Sequence, residues 1–132
     1  MGRLEGRVAI VTGAADGERA AIGAAYARAL AAEGAMVTVA DLTDPSSVVA
    51  DIKAAGGRPI GVIADVSNEA QVKSMVERTV GEFDRLDVLI NNAGIGSNIP
   101  AIPVEDMSVE VWDELMAVNV RGPFLCVKAA VP

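Results

Sequence analysis

A short apolar run that leads directly into a glycine-rich turn limits what this chain can fold into. Val8 to Val11 is continuously apolar, and the turn at residues 12–17 carries Gly13 and Gly17. Such a run is typical of a parallel strand that is buried on both faces. Glycines between a strand and a helix allow a phosphate to approach the N–H groups at the helix N-terminus. A plain strand-to-helix turn is the alternative interpretation.

The rest of the chain alternates between strand-like and helix-like patterns, which predicts right-handed crossovers and a parallel sheet. Gly34 is expected to end the first helix, and Asp44 and Ser108 are expected to cap later ones. The fold class is therefore α/β, an incomplete doubly wound sheet of Rossmann type with strand order 3-2-1-4. Strands are predicted at 8–11, 36–40, 59–64 and 86–90, helices at 20–33, 45–55, 68–82 and 108–130, and inward residues of the third helix at Val72, Met75, Val76 and Val80.

The composition is that of one folded domain, residues 1–132, since 52% of the residues are hydrophobic and 22% are charged. The net charge of -7 argues against nucleic acid and anionic membrane surfaces as partners. The sequence has no signal peptide pattern and no apolar run of membrane-spanning length, which favours a cytoplasmic protein. One cysteine and no histidine argue against a disulfide framework, and no metal site is predicted.

An acidic residue at the end of the second predicted strand supports a dinucleotide site. Asp41 stands where a carboxylate would accept hydrogen bonds from the adenosine ribose hydroxyls, and a solvated aspartate at the start of a loop is the alternative. The same carboxylate would repel a 2′-phosphate, and Asp16 adds a second negative charge. NAD is therefore favoured over NADP, with Arg19 as the only nearby cation that would reverse this preference.

Four landmarks in the expected order make the chain resemble the short-chain dehydrogenase/reductase family over its whole length. The resemblance implies a nicotinamide-dependent oxidoreductase that interconverts a small-molecule alcohol and ketone. The landmarks are Leu4 to Gly13, Ala64-Asp65-Val66, Asn91 to Gly94, and Val118-Asn119-Val120.

The resemblance also assigns residues to the cofactor. It implies that Asp65, beside Val66, holds the adenine and that the turn of Asn92, Ala93 and Gly94 approaches the cofactor. From the residues alone, Asp65 and Asn92 could also be simple turn formers. The complete set of predicted cofactor contacts is Thr12, Gly13, Ala15, Gly17, Ile22, Gly23, Asp41, Leu42, Asp65, Val66, Asn92, Ala93 and Gly94.

The glycine-rich turn departs from the family pattern Thr-Gly-x-x-x-Gly-x-Gly. Arg19 stands at the position of the third glycine, and Ile22-Gly23 follows later, so residues 18–21 are interpreted as an insertion. A helix lengthened by these residues would advance about 6 Å toward the phosphates. A bulged loop over the cofactor is therefore expected, with Gly23 at the helix start, and a solvated bump without a role is the alternative.

Asn119 is the one residue of the catalytic set that the sequence provides. Pro123 cannot donate a hydrogen bond to the Asn119 carbonyl, and Gly122 lets the helix open there, so this carbonyl is expected to hold a water. The resemblance implies that the matching asparagine works within a Ser-Tyr-Lys-Asn set. A hydrogen-bonded core asparagine is the alternative.

The last predicted helix is apolar on two sides. One side is expected to pack on the sheet together with Cys126, which is interpreted as a packing residue. For the other side the resemblance implies a homo-oligomer interface, and packing on later elements of the same domain is the alternative. The first side is Val111, Leu115, Val118 and Leu125, and the second is Trp112, Met116, Val120, Phe124 and Val127.

The family's proton-transfer groups are not found in these residues. The resemblance implies a Tyr-x-x-x-Lys pair with an upstream Ser, but the single tyrosine, Tyr26, is expected to be a core or packing residue, and no Ser follows Ser108. The chain is therefore expected to be the N-terminal portion of an enzyme, inactive alone, with its fourth strand at an open sheet edge. A non-catalytic NAD-binding subunit with a partner chain and a methyltransferase are the alternatives, and the substrate is not specified.

Overall fold

The computed structural model describes residues 2–17, 22–96 and 101–132. Four parallel strands form one sheet in the order β3-β2-β1-β4, which confirms the predicted topology. In β1, Val8 lies opposite Met36 of β2, and Ala9 lies opposite Val88 of β4. The strands are β1 Val8–Val11, β2 Met36–Asp41, β3 Arg58–Ile63 and β4 Val88–Ile90.

The helices connect these strands and cover both faces of the sheet. Helices α1 and α2 pack together on one face, whereas α3 and α5 pack together on the other. Their predicted positions are confirmed within one or two residues, except that the predicted start of α1 at residue 20 lies outside the described residues. The helices are α1 Ile22–Ala32, α2 Ser46–Ala54, α3 Glu69–Phe83, α4 Val109–Met116 and α5 Gly122–Ala130, with a short 3-10 turn at Val104–Asp106.

Side chains that alternate along β1 divide the core into two layers. All four β1 residues are fully buried. Ile10 packs in a layer with Met75 and Leu125, while Val11 packs in the opposite layer with Val39. The alternation follows from the two-residue repeat of a strand. The central strand is therefore covered on both faces, as its continuous apolar run predicts.

One predicted core position in α3 is wrong. Val80 is 41% exposed, and Thr79 is fully buried instead. The Thr79 hydroxyl lies 2.7 Å from the Thr38 hydroxyl and donates to the Met75 carbonyl at 2.9 Å. A polar residue is tolerated on the inner face because its hydroxyl is fully hydrogen-bonded, which a count of apolar residues does not detect.

The start of α2 also differs slightly from its prediction. The helix begins at Ser46, so Pro45 precedes it instead of occupying its first position. Asp44 still closes the turn, because Oδ1 accepts from the Ser46 N–H at 2.9 Å and Oδ2 accepts from the Ser46 hydroxyl at 2.9 Å. The predicted caps at Ser108 and Gly34 are confirmed by a 3.2 Å bond from the Val111 N–H to the Ser108 hydroxyl and by the Gly34 φ of 96°.

The last predicted helix is interrupted by a π-helical turn at Ala117–Arg121. The Gly122 N–H donates to the Ala117 carbonyl, five residues back, so the helix is widened just before Pro123. Gly122 is buried against Val66, where a Cβ would lie 2.8 Å from the Val66 Cγ2 atom. π-Turns of this kind often occur at functional sites. The opening predicted from Gly122 and Pro123 is therefore present as a widened turn.

The two sides of this helical region have opposite exposures. On the inner side, Leu125 is 5% exposed and Cys126 is 1% exposed. Burial raises the pKa of the Cys126 thiol to about 11, which agrees with a packing role. We call the residues of the second side the outer apolar face, and each of them is more than a third exposed. They are Trp112, Met116, Val120, Phe124 and Val127.

None of the helices in the described part of the chain combines the length and the apolar character needed to cross a membrane.

Candidate functional site

A cavity of about 330 Å³ lies at the carboxyl ends of the parallel strands. In doubly wound sheets this edge is where ligands bind, because the strand order changes direction there. The turns that follow β1, β2, β3 and β4 all contribute to its walls. The lining residues are Thr12, Gly13, Ala40, Asp41, Leu42, Thr43, Ala64, Asp65, Val66, Asn92, Ala93, Gly94, Ile95 and Val118.

Thr12 joins the glycine-rich turn to the turn after β4. It is 1% exposed, and its hydroxyl oxygen accepts from the Asn92 N–H at 3.1 Å and from the Ala93 N–H at 3.0 Å. The Asn92 side chain returns a bond from Nδ2 to the Gly13 carbonyl at 3.0 Å. Because β1 and β4 are neighbours, both turns leave the sheet side by side. We call Thr12, Gly13, Asn92 and Ala93 the turn cluster.

Two glycines allow the backbone to approach this cluster closely. Gly13 has a φ of 64°, and a Cβ there would lie 2.8 Å from the Ala93 Cα. A Cβ on Gly23 would overlap the Gly13 carbonyl oxygen and lie 2.5 Å from the Asn92 Nδ2 atom. Gly23 therefore lies at the start of α1 as predicted. The predicted bulge at residues 18–21 lies outside the described residues.

Gly17 differs from these two glycines. It is exposed, and a Cβ there would meet no heavy atom of the described residues within 4 Å. Its environment shows no steric need for glycine, so its predicted phosphate contact stays a prediction.

Asp41 connects the end of β2 to the glycine-rich turn. Its Oδ2 accepts from the Ala15 N–H at 3.0 Å, and its Oδ1 accepts from the N–H and the hydroxyl of Thr43, each at 3.0 Å. A carboxylate has about four acceptor positions, so roughly one remains for a ligand hydroxyl. The carboxylate is thus held in place by both neighbouring turns, unlike a freely solvated aspartate.

A charged network surrounds Asp16, the acidic residue of the turn. One Arg28 nitrogen, Nη2, donates to Asp16 at 2.8 Å and to Asp51 at 2.7 Å, and the Ser47 hydroxyl donates to Asp16 at 3.1 Å. The bond from Arg28 holds the pKa of Asp16 below its usual range, with a smaller contribution from Ser47. Arg28 is therefore a cation near the turn that the sequence analysis did not name, while Arg19 lies outside the described residues. Arg28 lies in α1, far along the sequence from the turn, and only the packing of α1 beside the turn brings them together.

Asp65 shapes the turn that follows β3. Its Oδ1 accepts from the N–H and hydroxyl of Ser67 at 2.9 Å and 2.6 Å, and its own N–H donates to the Gln71 side chain at 2.8 Å. Asp65 and Val66 both line the cavity. Asp65 therefore forms a turn, as the alternative interpretation expected, and this turn places Asp65 in the cavity wall.

Asn119 uses its side chain to hold the loop after β4. Its Oδ1 accepts from the Ile95 N–H at 2.8 Å, and its Nδ2 donates to the Ile95 carbonyl at 2.8 Å. The same Oδ1 would lie 3.3 Å from a Cβ on Gly94. The side chain is therefore a positioning group for the cavity wall. The water-binding role predicted for the Asn119 carbonyl stays a prediction.

The structure brings most of the predicted cofactor residues together. Ala15, Gly17, Ile22 and Gly23 do not line the cavity, although Ala15 and Gly23 support it from behind through Asp41 and Gly13. Tyr26, predicted to be a core or packing residue, is 44% exposed on α1, so it does not lie in the core, and the packing role stays a prediction. The lining residues that were not among the predicted cofactor contacts are Ala40, Thr43, Ala64, Ile95 and Val118.

One of the missed residues had a sequence signal. Thr43 follows Asp41 by two residues, a spacing at which an aspartate commonly accepts bonds from the chain ahead of it. The other missed residues are small or apolar and carry no signal of their own.

The order and geometry of these turns agree with comparisons to known proteins. The family model described as short chain dehydrogenase matches residues 7–132. The chain belongs to the short-chain dehydrogenase/reductase family. This family uses the nicotinamide cofactors NAD or NADP, which are dinucleotides of the kind that the cavity edge of a doubly wound sheet accommodates.

Individual relatives confirm the family and the fold. An uncharacterized oxidoreductase of Methylorubrum extorquens is 44% identical, over 98% of this chain and 51% of its own length. The D-threitol dehydrogenase of Mycolicibacterium smegmatis is 38% identical, over 96% of this chain and 47% of its own length. A crystal structure of a dehydrogenase/reductase from Sinorhizobium meliloti aligns with a TM-score of 0.88 and 37% identity, over 97% of this chain and 49% of that one. This short-chain dehydrogenase/reductase chain thus spans about half the length of the curated relatives it matches.

Proposed function

We propose that these residues form the NAD-binding part of an oxidoreductase that interconverts a small-molecule alcohol and ketone. The observation that carries the proposal is the cavity at the carboxyl ends of the strands, where the turn cluster and Asp41 fix the turns after β1, β2 and β4 around one space. Its volume of about 330 Å³ lies within the range of small-molecule sites. Family membership supports the reaction class, and the relative that acts on D-threitol supports an alcohol substrate.

Each predicted contact has a physical role in this proposal. Gly13 and Gly17 let the backbone approach the pyrophosphate, while Asp41 accepts a hydrogen bond from the adenosine ribose with its remaining acceptor position. Asp65 and Val66 flank the adenine. The turn of Asn92, Ala93 and Gly94 forms the wall toward the reacting end of the cofactor.

The carboxylate of Asp41 is also the reason that the proposal names NAD. A 2′-phosphate would place two negative charges beside a carboxylate that is held rigidly by Ala15 and Thr43. The carboxylate cannot turn away without breaking those bonds. NADP is therefore proposed as the weaker ligand.

The proton-transfer step needs groups that these residues do not provide. Oxidation of an alcohol moves a hydride from the carbinol carbon to the nicotinamide ring and the hydroxyl proton to a base. Tyr26, the single tyrosine of the sequence, does not line the cavity. We propose that the base comes from outside these 132 residues, either from further polypeptide or from a second chain, and that Asn119 positions the cavity wall for it.

The outer apolar face supports a proposal about partners. Trp112 is 55% exposed and Phe124 is 60% exposed, and both lie on the same side of the last helical region. Large aromatic residues in an exposed apolar patch are typical of a protein interface. We propose that this face forms a contact between copies of the chain.

Calorimetric titration of the purified chain tests the cofactor proposal. NAD is expected to bind saturably and at least about tenfold more tightly than NADP, since one extra repulsive contact of 1.4 kcal/mol gives that ratio. Asp41→Ala should reduce the ratio, while the matched control Asp44→Ala, a loop carboxylate outside the cavity lining, should not. A chain that is folded by circular dichroism but binds neither dinucleotide would refute the proposal.

An activity measurement tests the proton-transfer part. The 132-residue chain, supplied with NAD and a panel of secondary alcohols, is expected to form no NADH above the background rate. Sustained turnover by this chain alone would show that the base lies within these residues.

A further inference from the structure

We infer that Arg28 determines how well the site accepts anionic ligands, because it compensates the negative charge that Asp16 brings into the glycine-rich turn. This inference rests on the proposed dinucleotide function. It adds a residue in α1 that lies outside the cavity lining and acts through charge.

The geometry connects Arg28 to the site through the turn itself. The Ala15 N–H is bonded to Asp41 at 3.0 Å, and Asp16 is the next residue along the chain. Arg28 reaches Asp16 at 2.8 Å. The side chain of Arg28 therefore acts on the segment between Gly13 and Gly17, the two proposed pyrophosphate contacts.

The charges do not cancel completely. Arg28 bridges two carboxylates, Asp16 at 2.8 Å and Asp51 at 2.7 Å, so the three groups together carry one negative charge. Removing the guanidinium would leave two negative charges beside the turn. The chain as a whole carries a net charge of -7, so a phosphate near this turn depends on local compensation.

The effect is electrostatic and should scale with the charge of the ligand. NADP carries a 2′-phosphate that NAD lacks, so loss of Arg28 should weaken NADP binding more than NAD binding. The side chains of Arg28 and Asp16 are 38% and 39% exposed, so solvent and salt weaken the interaction. The effect should therefore decrease when the salt concentration is raised.

A purely mechanical role predicts a different pattern. If Arg28 served only to tether the turn, then Asp16→Asn would break the tether much as Arg28→Met does. The double variant would then be no better than either single variant. Charge compensation predicts instead that Asp16→Asn is harmless and that it rescues Arg28→Met, because the uncompensated carboxylate is removed.

The test is a double-mutant cycle measured by calorimetric titration with NAD and with NADP at low and high salt. Arg28→Met is expected to weaken NAD binding about fivefold at low salt and NADP binding more strongly, as estimated for a partly exposed charge. Arg28→Met with Asp16→Asn should return NAD binding to within about twofold of wild type, and Asp16→Asn alone should strengthen NADP binding. Arg28→Lys keeps the charge and should preserve most of the affinity.

The control is Glu77→Gln on α3, which packs on the opposite face of the sheet and changes the net charge by the same amount as Asp16→Asn. It should leave both affinities unchanged, and circular dichroism checks that each variant is folded.

Equal losses in Arg28→Met, Asp16→Asn and the double variant would overturn the inference in favour of a tether, and unchanged affinity in Arg28→Met would overturn it outright. If Arg28→Met fails to fold, Asp16→Asn decides the question, since a loss of NADP affinity there contradicts charge compensation. A wild-type chain that binds neither dinucleotide would instead refute the proposed function, and the inference with it.

Discussion

The turn cluster and the outer apolar face differ in how many of their groups are hydrogen-bonded or buried by other described residues. In the turn cluster, the Thr12 hydroxyl oxygen accepts two backbone N–H groups, and Thr12 is 1% exposed. On the outer apolar face, Trp112 and Phe124 are more than half exposed. The first region has its partners in neighbouring turns, while the second displays apolar area to solvent.

This difference indicates which part of the molecule stabilises the fold and which part is available for contacts with another chain. The turn cluster is hydrogen-bonded and closely packed, so a change to any one of its groups should lower the free energy of unfolding of the chain. An exposed apolar face contributes little to the stability of the chain and instead contributes to association. Substitutions should therefore act on folding in the first region and on assembly in the second.

The largest expected effect is that of Gly23→Ala in the turn cluster. A Cβ at this position would overlap the Gly13 carbonyl oxygen and crowd Asn92. The backbone cannot move aside easily, so the free energy of unfolding should fall by about 3 kcal/mol or more, measured by urea denaturation.

The matched control is Gly81→Ala, also at a helical glycine. A Cβ on Gly81 would meet no heavy atom of the described residues within 4 Å. This change should stabilise the chain by up to about 1 kcal/mol, since alanine favours the helix. Similar stabilities for the two variants would contradict a close approach of the Gly13 carbonyl to Gly23.

The next largest effect is expected for Thr12→Val, which keeps the shape but removes the hydroxyl. The Ala93 N–H would lose its acceptor, and the Asn92 N–H would keep only the Ile90 carbonyl, at 3.1 Å. Leaving one partly buried donor unsatisfied should cost about 1–3 kcal/mol in the free energy of unfolding. Dinucleotide binding should weaken as well, because the two turns lose their link.

The loss of stability in Thr12→Val is compared with that of a double variant that removes both hydroxyls of a buried pair, Thr38 and Thr79. Thr38 and Thr79 contact each other at 2.7 Å inside the core. Their double change to Val removes donor and acceptor together and should stay within about 1 kcal/mol of wild type. If Thr12→Val is equally mild, the turn cluster does not depend on this hydroxyl.

A smaller effect on folding is expected for Phe124→Lys on the outer apolar face. Phe124 is 60% exposed, so the free energy of unfolding should change by no more than about 0.5 kcal/mol. Self-association measured by analytical ultracentrifugation should weaken at least about tenfold, as expected for a central aromatic contact.

Val104→Lys is the control for the introduction of a positive charge at an exposed apolar residue. Val104 is 85% exposed, lies in the short 3-10 turn and is not a member of the outer apolar face. It should leave self-association unchanged. Equal sedimentation of wild type and Phe124→Lys would contradict a contact through this face.

A labelling experiment on Cys126 examines the inner side of the same helix. Its thiol is 1% exposed, and burial raises its pKa from 9.0 to about 11. Because the reactive form is the thiolate, labelling at pH 8 should be at least about 100-fold slower in the native chain than in urea. Comparable rates in the two states would show that α5 separates readily from the sheet.

The same thiol predicts a dependence of stability on pH. Its folded-state pKa is raised, so its contribution to stability is complete below about pH 9 and is lost as the pH rises toward about 11. Cys126→Ala lacks this group and should show a correspondingly flatter decline in urea titrations over that range. An identical decline in both proteins would mean that burial does not hold the thiol neutral.

Local patterns in the sequence were sufficient for the elements and for most of the site. The apolar run at β1, the glycine at the end of α1 and the cap at Ser108 each act over a few residues, so they can be recognised without tertiary information. The order of the motifs then predicted the strand order and the lining residues Asp41, Asp65 and Asn92. These predictions are accurate because strand ends of one sheet must meet at one edge.

The long-range contacts were decided by the packing of distant elements. Nothing in the neighbourhood of Thr12 indicates that its hydroxyl accepts two N–H groups from the turn after β4, and nothing near Arg28 indicates that it bridges Asp16 and Asp51. The burial of Thr79 in place of Val80 has the same origin, since it depends on the hydroxyl of Thr38 in β2, on which α3 packs. Sequence periodicity fixes which face of an element is apolar, but hydrogen bonds and ion pairs between elements are determined only when the sheet brings their partners within about 3 Å.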